Sequence, residues 1–256
     1  MRVASYNHMF GCNGLSLFAF LYVHGLYRLK KYRQIKPWTQ IDHTIETIKE
    51  CNADVIAVSE VLGENQANIL IEKLKKLGYS DFHVGIPHAD SPDGTESVCT
   101  LIATRIPFTT FFTPSFNVAN RFGNGSGITG IFIESKDTYI IQVHLPLSRG
   151  ITHKLFRLQL ACVIEEIERI KKEKPHSKII VMGDFNCTYE RLVSEGPELA
   201  KFTRLSNPMA TCLENAFLKL FYYKDLDHIL GFGVQAKNAG TVRGKSDHSL
   251  VWADIN

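Results

Sequence analysis

The sequence predicts an α/β (α+β) protein whose strands are covered by helices, and three observations carry that expectation. The opening part alternates strand and helix patterns in the order β–α–β–α. The middle changes to short β-rich runs separated by loops rich in Gly, Pro, Asn and Ser. A long amphipathic helix pattern then precedes Lys178-Ile179-Ile180-Val181, a β-branched run with the look of a buried strand, which ends in Gly183-Asp184-Phe185-Asn186.

Taken in order, Arg2 to Tyr6 reads as a strand ending at Asn7. From His8 to about Trp38 there is no clear strand pattern. Within it Leu17, Phe18, Leu21, Tyr22, Gly25 and Leu29 recur at helical spacing, and the second part is basic and aromatic. Ile41, Ile45 and Ile48 make a helix stripe. Asp54 to Glu60 reads as a buried strand that ends in an acid. Ala67, Leu70, Ile71, Leu74 and Leu77 mark a second helix, closed by Gly78. Strands are expected at 98–103, 128–134 and 139–144, as antiparallel neighbours. Phe156, Leu160, Val163, Ile167 and Ile170 place a helix over about 152–173, stopped by Pro175. After Asn186 comes a less regular stretch, and 224–230 and 246–252 read as two final strand regions. No linker, repeat or low-complexity segment divides the chain, so a single domain over 1–256 is expected, with an insert at about 8–38.

The bulk numbers exclude several classes. A chain of 256 residues that is 45% hydrophobic and 21% charged suits a globular protein. A net charge of +3 is too small to imply a nucleic-acid partner by itself, although it allows a local basic face. Six cysteines are spread along the chain without a C-x-x-C pair, which reads as buried thiols in a reducing, cytoplasmic compartment. No apolar run approaches the roughly 18–20 residues of a membrane span, so no transmembrane segment is expected. Leu15 to Val23, with Arg2 ahead of it, imitates a signal peptide. No small-x-small cleavage site follows, and cleavage would remove Asn7.

Six expected strands carry polar residues at one end: Asn7, Glu60, His144, Asp184 with Asn186, Asp227, and Asp247 with His248. Sites form where a sheet delivers its strand termini. Asp184 and Asn186, two residues apart, are expected to face the same way along an extended segment. Glu, Asp and Asn are hard oxygen ligands suited to Mg²⁺ or Mn²⁺. There is no His/Cys set with zinc spacing, no phosphate-binding Gly-x-x-x-x-Gly-Lys-Ser/Thr loop and no Gly-x-Ser-x-Gly elbow. Metal-assisted attack of water on a phosphorus ester fits what is present.

The ordered set Ser5-Tyr6-Asn7, Ser59-Glu60-Val61, Val143-His144-Leu145, Gly183-Asp184-Phe185-Asn186, Leu226-Asp227-His228-Ile229 and Ser246-Asp247-His248 resembles the endonuclease/exonuclease/phosphatase superfamily over nearly the whole chain. The resemblance implies a four-layer sandwich, two packed mixed β-sheets flanked by helices, with the site at one edge. It also implies roles. Glu60 is the main Mg²⁺ (or Mn²⁺) ligand, with Asn7 and Asp247 beside it. Asp184 positions or deprotonates the attacking water. Asn186 and His144 face the phosphate as substrate-binding groups, and Asp227 holds the catalytic His248. His228, next to Asp227 on an alternating strand, is expected to point away.

The sequence departs from parts of that family. Ser59 stands where Gln is usual. His144 and Gly-Asp-Phe-Asn, in place of Tyr and Gly-Asp-Met-Asn, tilt away from the apurinic-site endonuclease branch and towards sphingomyelinase-like, phosphoinositide-phosphatase-like and general nuclease members. The expected activity is a Mg-dependent phosphoesterase, most simply a phosphodiesterase. Nucleic acid and a phospholipid headgroup both stay open as substrates, and a catalytically inactive binding module is the alternative from another class. Residues 15–38 are read as a helix packed on the sandwich with a solvated basic end, or as a peripheral membrane or polyanion contact.

Overall fold

The computed structural model describes residues 1–8, 41–85, 98–112, 127–207, 211–216 and 219–256. In chain order these form β1 (Arg2–Asn7), α1 (Ile41–Cys51), β2 (Val55–Leu62), α2 (Gly63–Lys75), β3 (Asp81–Gly85), β4 (Val98–Thr104), β5 (Thr109–Phe112), β6 (Ile128–Ile133), β7 (Thr138–His144), α3 (His153–Glu173), β8 (Lys178–Asp184), α4 (Tyr189–Glu195), β9 (Thr203–Arg204), β10 (Cys212–Ala216), β11 (Lys219–Lys224), β12 (Asp227–Phe232), β13 (Ala236–Val242) and β14 (Leu250–Ile255).

Two six-stranded sheets are built on one plan. The first has the order β13-β14-β1-β2-β4-β3 and the second β5-β6-β7-β8-β12-β9, and β10 and β11 pair as a separate hairpin. At the centre of each lies one parallel pair, β1 with β2 and β7 with β8, and all other pairings are antiparallel. A parallel pair needs a long crossover. Helix α1 lies in the first crossover, and α3 lies in the second.

Strand alternation then fixes the layers. On β1 and β2, Ala4, Tyr6, Ile56 and Val58 pack outward with Ile41 and Ile48 of α1 and Leu70 and Leu74 of α2. On β7 and β8, Ile141, Val143, Ile179 and Val181 pack outward with Phe156, Val163 and Ile167 of α3. The opposite faces, including Val3, Val55, Ala57, Ile140, Ile180, Met182 and Ile229, meet between the sheets. Each fully buried aliphatic or aromatic side chain in these layers contributes roughly 1.5–3 kcal/mol of transfer free energy. The result is the four-layer α/β sandwich that the resemblance implies.

Several elements differ from the expectation. The last strand starts at Leu250 rather than at Ser246, because Ser246 and Asp247 bend and His248 makes only an isolated bridge to Cys212. The strand expected from Lys224 starts at Asp227 and runs to Phe232. Strands β3, β5, β9, β10, β11 and β13 and helix α4 have no counterpart in the expected list. β13 is an edge strand with a largely open face, so Ala236 to Val242 lacks the apolar alternation that marks a half-buried strand. The helix expected within 15–38 and one of the six cysteines, Cys12, lie outside the described residues. Among the described residues, no helix is long and apolar enough to cross a membrane.

Candidate active site

The same alternation carries a polar layer to one end of the sandwich. Asn7 continues the inward face of Val3 and Ser5, His144 that of Ile140 and Gln142, and Asp184 that of Ile180 and Met182. Asp227 precedes inward-facing Ile229 by two residues. The carboxyl ends of both parallel pairs therefore meet the start of β12 from within the sandwich.

Glu60 reaches this end by a different device. Val58 pairs with Leu101, but Val61 pairs with Cys99, so β2 holds one residue more than β4 between those points. Ile56, Val58 and Val61 all face the helix layer, which places the extra residue in the Ser59–Glu60 stretch. Glu60 has φ 58. A left-handed residue with a Cβ costs roughly 1–2 kcal/mol, so the surrounding contacts must hold it. Gln142, reaching across from β7, donates its Nε2–H to Val58 O at 3.0 Å, and His8 N–H donates to Ser59 O at 3.3 Å.

The segment after β8 is a tight turn. Gly183 has φ 148, and a Cβ there would lie 1.8 Å from Val143 O, so the close approach of β7 and β8 requires glycine. Asn186 has φ 51, a conformation that Asn tolerates well. The extended arrangement expected for Asp184 and Asn186 is thereby replaced. Asn186 N–H donates to Asp184 Oδ1 at 2.8 Å, and Asn186 Nδ2–H donates to Leu145 O at 2.7 Å. Phe185 is fully buried in the outer core and anchors the turn.

Asp184 sits at the centre. Its Oδ2 accepts from Asn7 Nδ2 at 3.0 Å and lies 3.8 Å from His248 Nε2 and 3.9 Å from His144 Nε2. His144 Nε2 is also 3.6 Å from Glu60 Oε1. On the other side His248 Nδ1–H donates to Asp227 Oδ2 at 2.7 Å, which leaves Nε2 facing Asp184. Thr211 Oγ1–H donates to the same Asp227 oxygen at 2.7 Å and accepts the backbone N–H groups of Leu226 and Asp227. Ser246 Oγ–H donates to Asn7 O at 2.7 Å and accepts His248 N–H at 3.1 Å, which locks the Ser-Asp-His turn to the end of β1.

The electrostatics are uneven. Burial pushes the Glu60 carboxyl up to about 8, and the neighbouring Asp247 carboxylate adds to the shift. For His248, burial pulls the pKa down, but Asp227, Cys212, Asp184 and Asp247 outweigh it and hold the imidazole well above its ordinary value. Burial lowers the pKa of His144 and outweighs the pull of Asp184. Its Nδ1 has no hydrogen-bond partner among the described residues.

Two sets of potential ligand atoms lie within 4.8 Å of one another among the described residues: Asp184, Asp227 and His248, and Cys212, Asp247 and His248. Glu60 belongs to neither, and its Oε1 lies 3.6 Å from His144 Nε2. Thr211 and Cys212 were not foreseen at the site. They fall in the irregular stretch after Asn186, and neither carries a sequence signal. His228 points away, as expected: its Nε2–H donates to Cys187 O at 2.9 Å, and its ring packs beside Phe185 in the outer layer.

This sandwich, with acids and histidines gathered at the strand ends, is the architecture of a phosphoester hydrolase. The Endonuclease/Exonuclease/phosphatase family profile matches residues 38–248, and the chain belongs to that family. No curated protein matches the chain by sequence. Among solved structures it is similar to truncated TDP2 of Caenorhabditis elegans, at 15% identity and TM-score 0.65, over 99% of this chain and 96% of that one. It is similar to TDP2 of D. rerio complexed with single-strand DNA product, at 16% identity and TM-score 0.63, over 100% and 98%. It is equally similar to the mannosyl-6-phosphatase of Bacteroides thetaiotaomicron, at 15% identity and TM-score 0.65, over 100% and 99%.

Proposed function

We propose that the chain is a divalent-metal-dependent phosphodiesterase that uses the two-sheet site for in-place attack of water on phosphorus. The observation that supports this most is the convergence on Asp184 of Asn7 from one sheet and of His144 and His248 within 4 Å of its Oδ2.

Glu60, Asn7 and Asp247 suit a hard cation. Their donors are oxygens, and Glu60 and Asp247 concentrate negative charge that raises the Glu60 pKa and that a cation would neutralise. A Mg²⁺ or Mn²⁺ ion held there would polarise the phosphate oxygens and offset their charge. The remaining work falls to the chain. Asp184, with both carboxylate oxygens already oriented by Asn7 and Asn186, positions the water and takes its proton. His248, charged and held by Asp227 and Thr211, presents Nε2–H to the phosphoryl charge. His144 and the Asn186 amide are the further groups placed to meet the phosphate.

The DNA product bound to D. rerio TDP2 favours a diester, and the sugar phosphatase of similar fold marks a monoester as the second reading. A nucleic acid and a phospholipid headgroup both present the required diester. The test is a metal-dependent screen over plasmid DNA, single-stranded RNA, sphingomyelin, phosphoinositides, an aryl phosphodiester and a sugar phosphate, with wild type and Asp184→Ala in parallel. A diester should be cleaved by the wild type only. Preference for the sugar phosphate would replace the diester reading, and near-wild-type cleavage by Asp184→Ala would remove the assignment altogether.

A further inference from the structure

We infer that Cys212, Asp247 and His248 form a second, softer metal site that prefers Zn²⁺ to Mg²⁺, and that filling it shuts the phosphoesterase off. The inhibition rests on the function proposed above; the binding does not.

Cys212 opens β10, and its backbone bridges antiparallel to His248, with Ser249 N–H donating to Thr211 O at 2.7 Å. Residues directly opposite one another in an antiparallel pair set their side chains side by side. The Cys212 sulfur, a His248 ring nitrogen and an Asp247 carboxylate oxygen accordingly all lie within 4.8 Å of one another. Among the described residues, no other cysteine joins such a set. Ligand atoms around a tetrahedral zinc stand roughly 3.5 Å apart, so modest side-chain rotation closes the site. Cys212 is 7% and His248 6% exposed, while Asp247 stays partly open and leaves an entry.

The chemistry of this tripod differs from that of Glu60, Asn7 and Asp247. A thiolate and an imidazole beside one carboxylate favour Zn²⁺, whereas Mg²⁺ takes oxygen ligands and avoids sulfur. Three protein ligands leave a fourth position to water. On binding, the Cys212 thiol and the His248 imidazolium each give one proton to solvent, and no electron is transferred. Asp247 is then withdrawn from the oxygen set, and His248 is no longer free to meet the phosphate. A cysteine that the reaction does not require thus makes the site sensitive to soft cations.

The test uses the whole chain, with Co²⁺ as a spectroscopic probe for Zn²⁺. Wild type titrated with Co²⁺ should develop the intense near-ultraviolet band of a thiolate–cobalt bond, and Zn²⁺ should abolish it. Cys212→Ser should lack that band and need at least about tenfold more Zn²⁺ for half inhibition of its own Mg²⁺-supported activity. Cys212→Ala gives the same readout if the serine variant does not fold. No thiolate band in wild type, or a band that persists in either variant, overturns the site. Equal Zn²⁺ inhibition of wild type and variant overturns the link to activity. Loss of all phosphoesterase activity without Zn²⁺ would instead count against the proposed function, and the cobalt band would still decide the site.

Discussion

The two histidines at the mouth of the sandwich occupy opposite environments although both face Asp184 Oδ2. His248 is tied by Nδ1 to Asp227, which Thr211 supports, and acids on several sides hold it charged. The buried Nδ1 of His144 has no partner among the described residues, and burial favours its neutral form. The pKa values of two imidazoles within 4 Å of one carboxylate oxygen are thereby pushed in opposite directions. Such a split lets one group donate a charged hydrogen bond while the other stays neutral. It also keeps two like charges from meeting across the Asp184 carboxylate.

Removing the shared partner breaks the comparison outright. Asp184→Ala should lower kcat/KM by about 10³-fold or more, with an unchanged near-ultraviolet circular dichroism spectrum. His248→Asn should cost about 10²–10⁴-fold, and His144→Asn clearly less. Equal losses in the two variants would mean that the pairing of His248 with Asp227 confers nothing on the reaction.

Asp227→Asn sharpens the comparison by making His248 resemble His144. It should lower kcat by about 10²-fold and move the alkaline limb of the pH–rate profile to lower pH. Thr211→Val should shift that limb the same way by less.

The stability of the metal-free protein tests the same charges. The folded pKa of His248 lies above its unfolded value near 6.5. Its charged pairing therefore contributes fully below that value and is lost as pH rises through the folded pKa. Denaturant melts should show stability falling on the alkaline side in wild type and a flatter profile in Asp227→Asn. Glu60 adds a fall of the same sign. Its folded pKa of about 8 lies above the ordinary 4.5, so the cost of its charge accumulates between those values as pH rises. Glu60→Gln, the smallest effect on the reaction's proton chemistry, should raise metal-free stability at mildly alkaline pH while weakening Mg²⁺ binding in calorimetry.

The sequence discloses these residues unevenly, for physical reasons. Asn7, His144 and Asp184 end apolar strands with a period of two, so their common face can be read from Val3, Ile140 and Met182 before any coordinates. Asp227 and His228 are separated by the same rule, one inward and one outward. The β-bulge at Glu60 is not legible, because nothing in Val-Ser-Glu-Val announces an extra residue opposite β4. The left-handed turn at Asn186 is held by its bonds to Asp184 Oδ1 and to Leu145 O, the second a contact between distant parts of the chain. Thr211 and Cys212 come to the site through long-range contacts, of Thr211 with Asp227 and of Cys212 with His248, which no local pattern records. Edge strand β13 lacks an apolar alternation because its open face tolerates Lys237 and Asn238 as readily as apolar residues.

The most direct measurement is hydrolysis of an aryl phosphodiester by wild type treated with EDTA and then restored with Mg²⁺ or Mn²⁺. The account predicts that EDTA abolishes turnover and that either hard cation returns it. Turnover that survives EDTA unchanged would contradict the metal-dependent site at Glu60, Asn7 and Asp247.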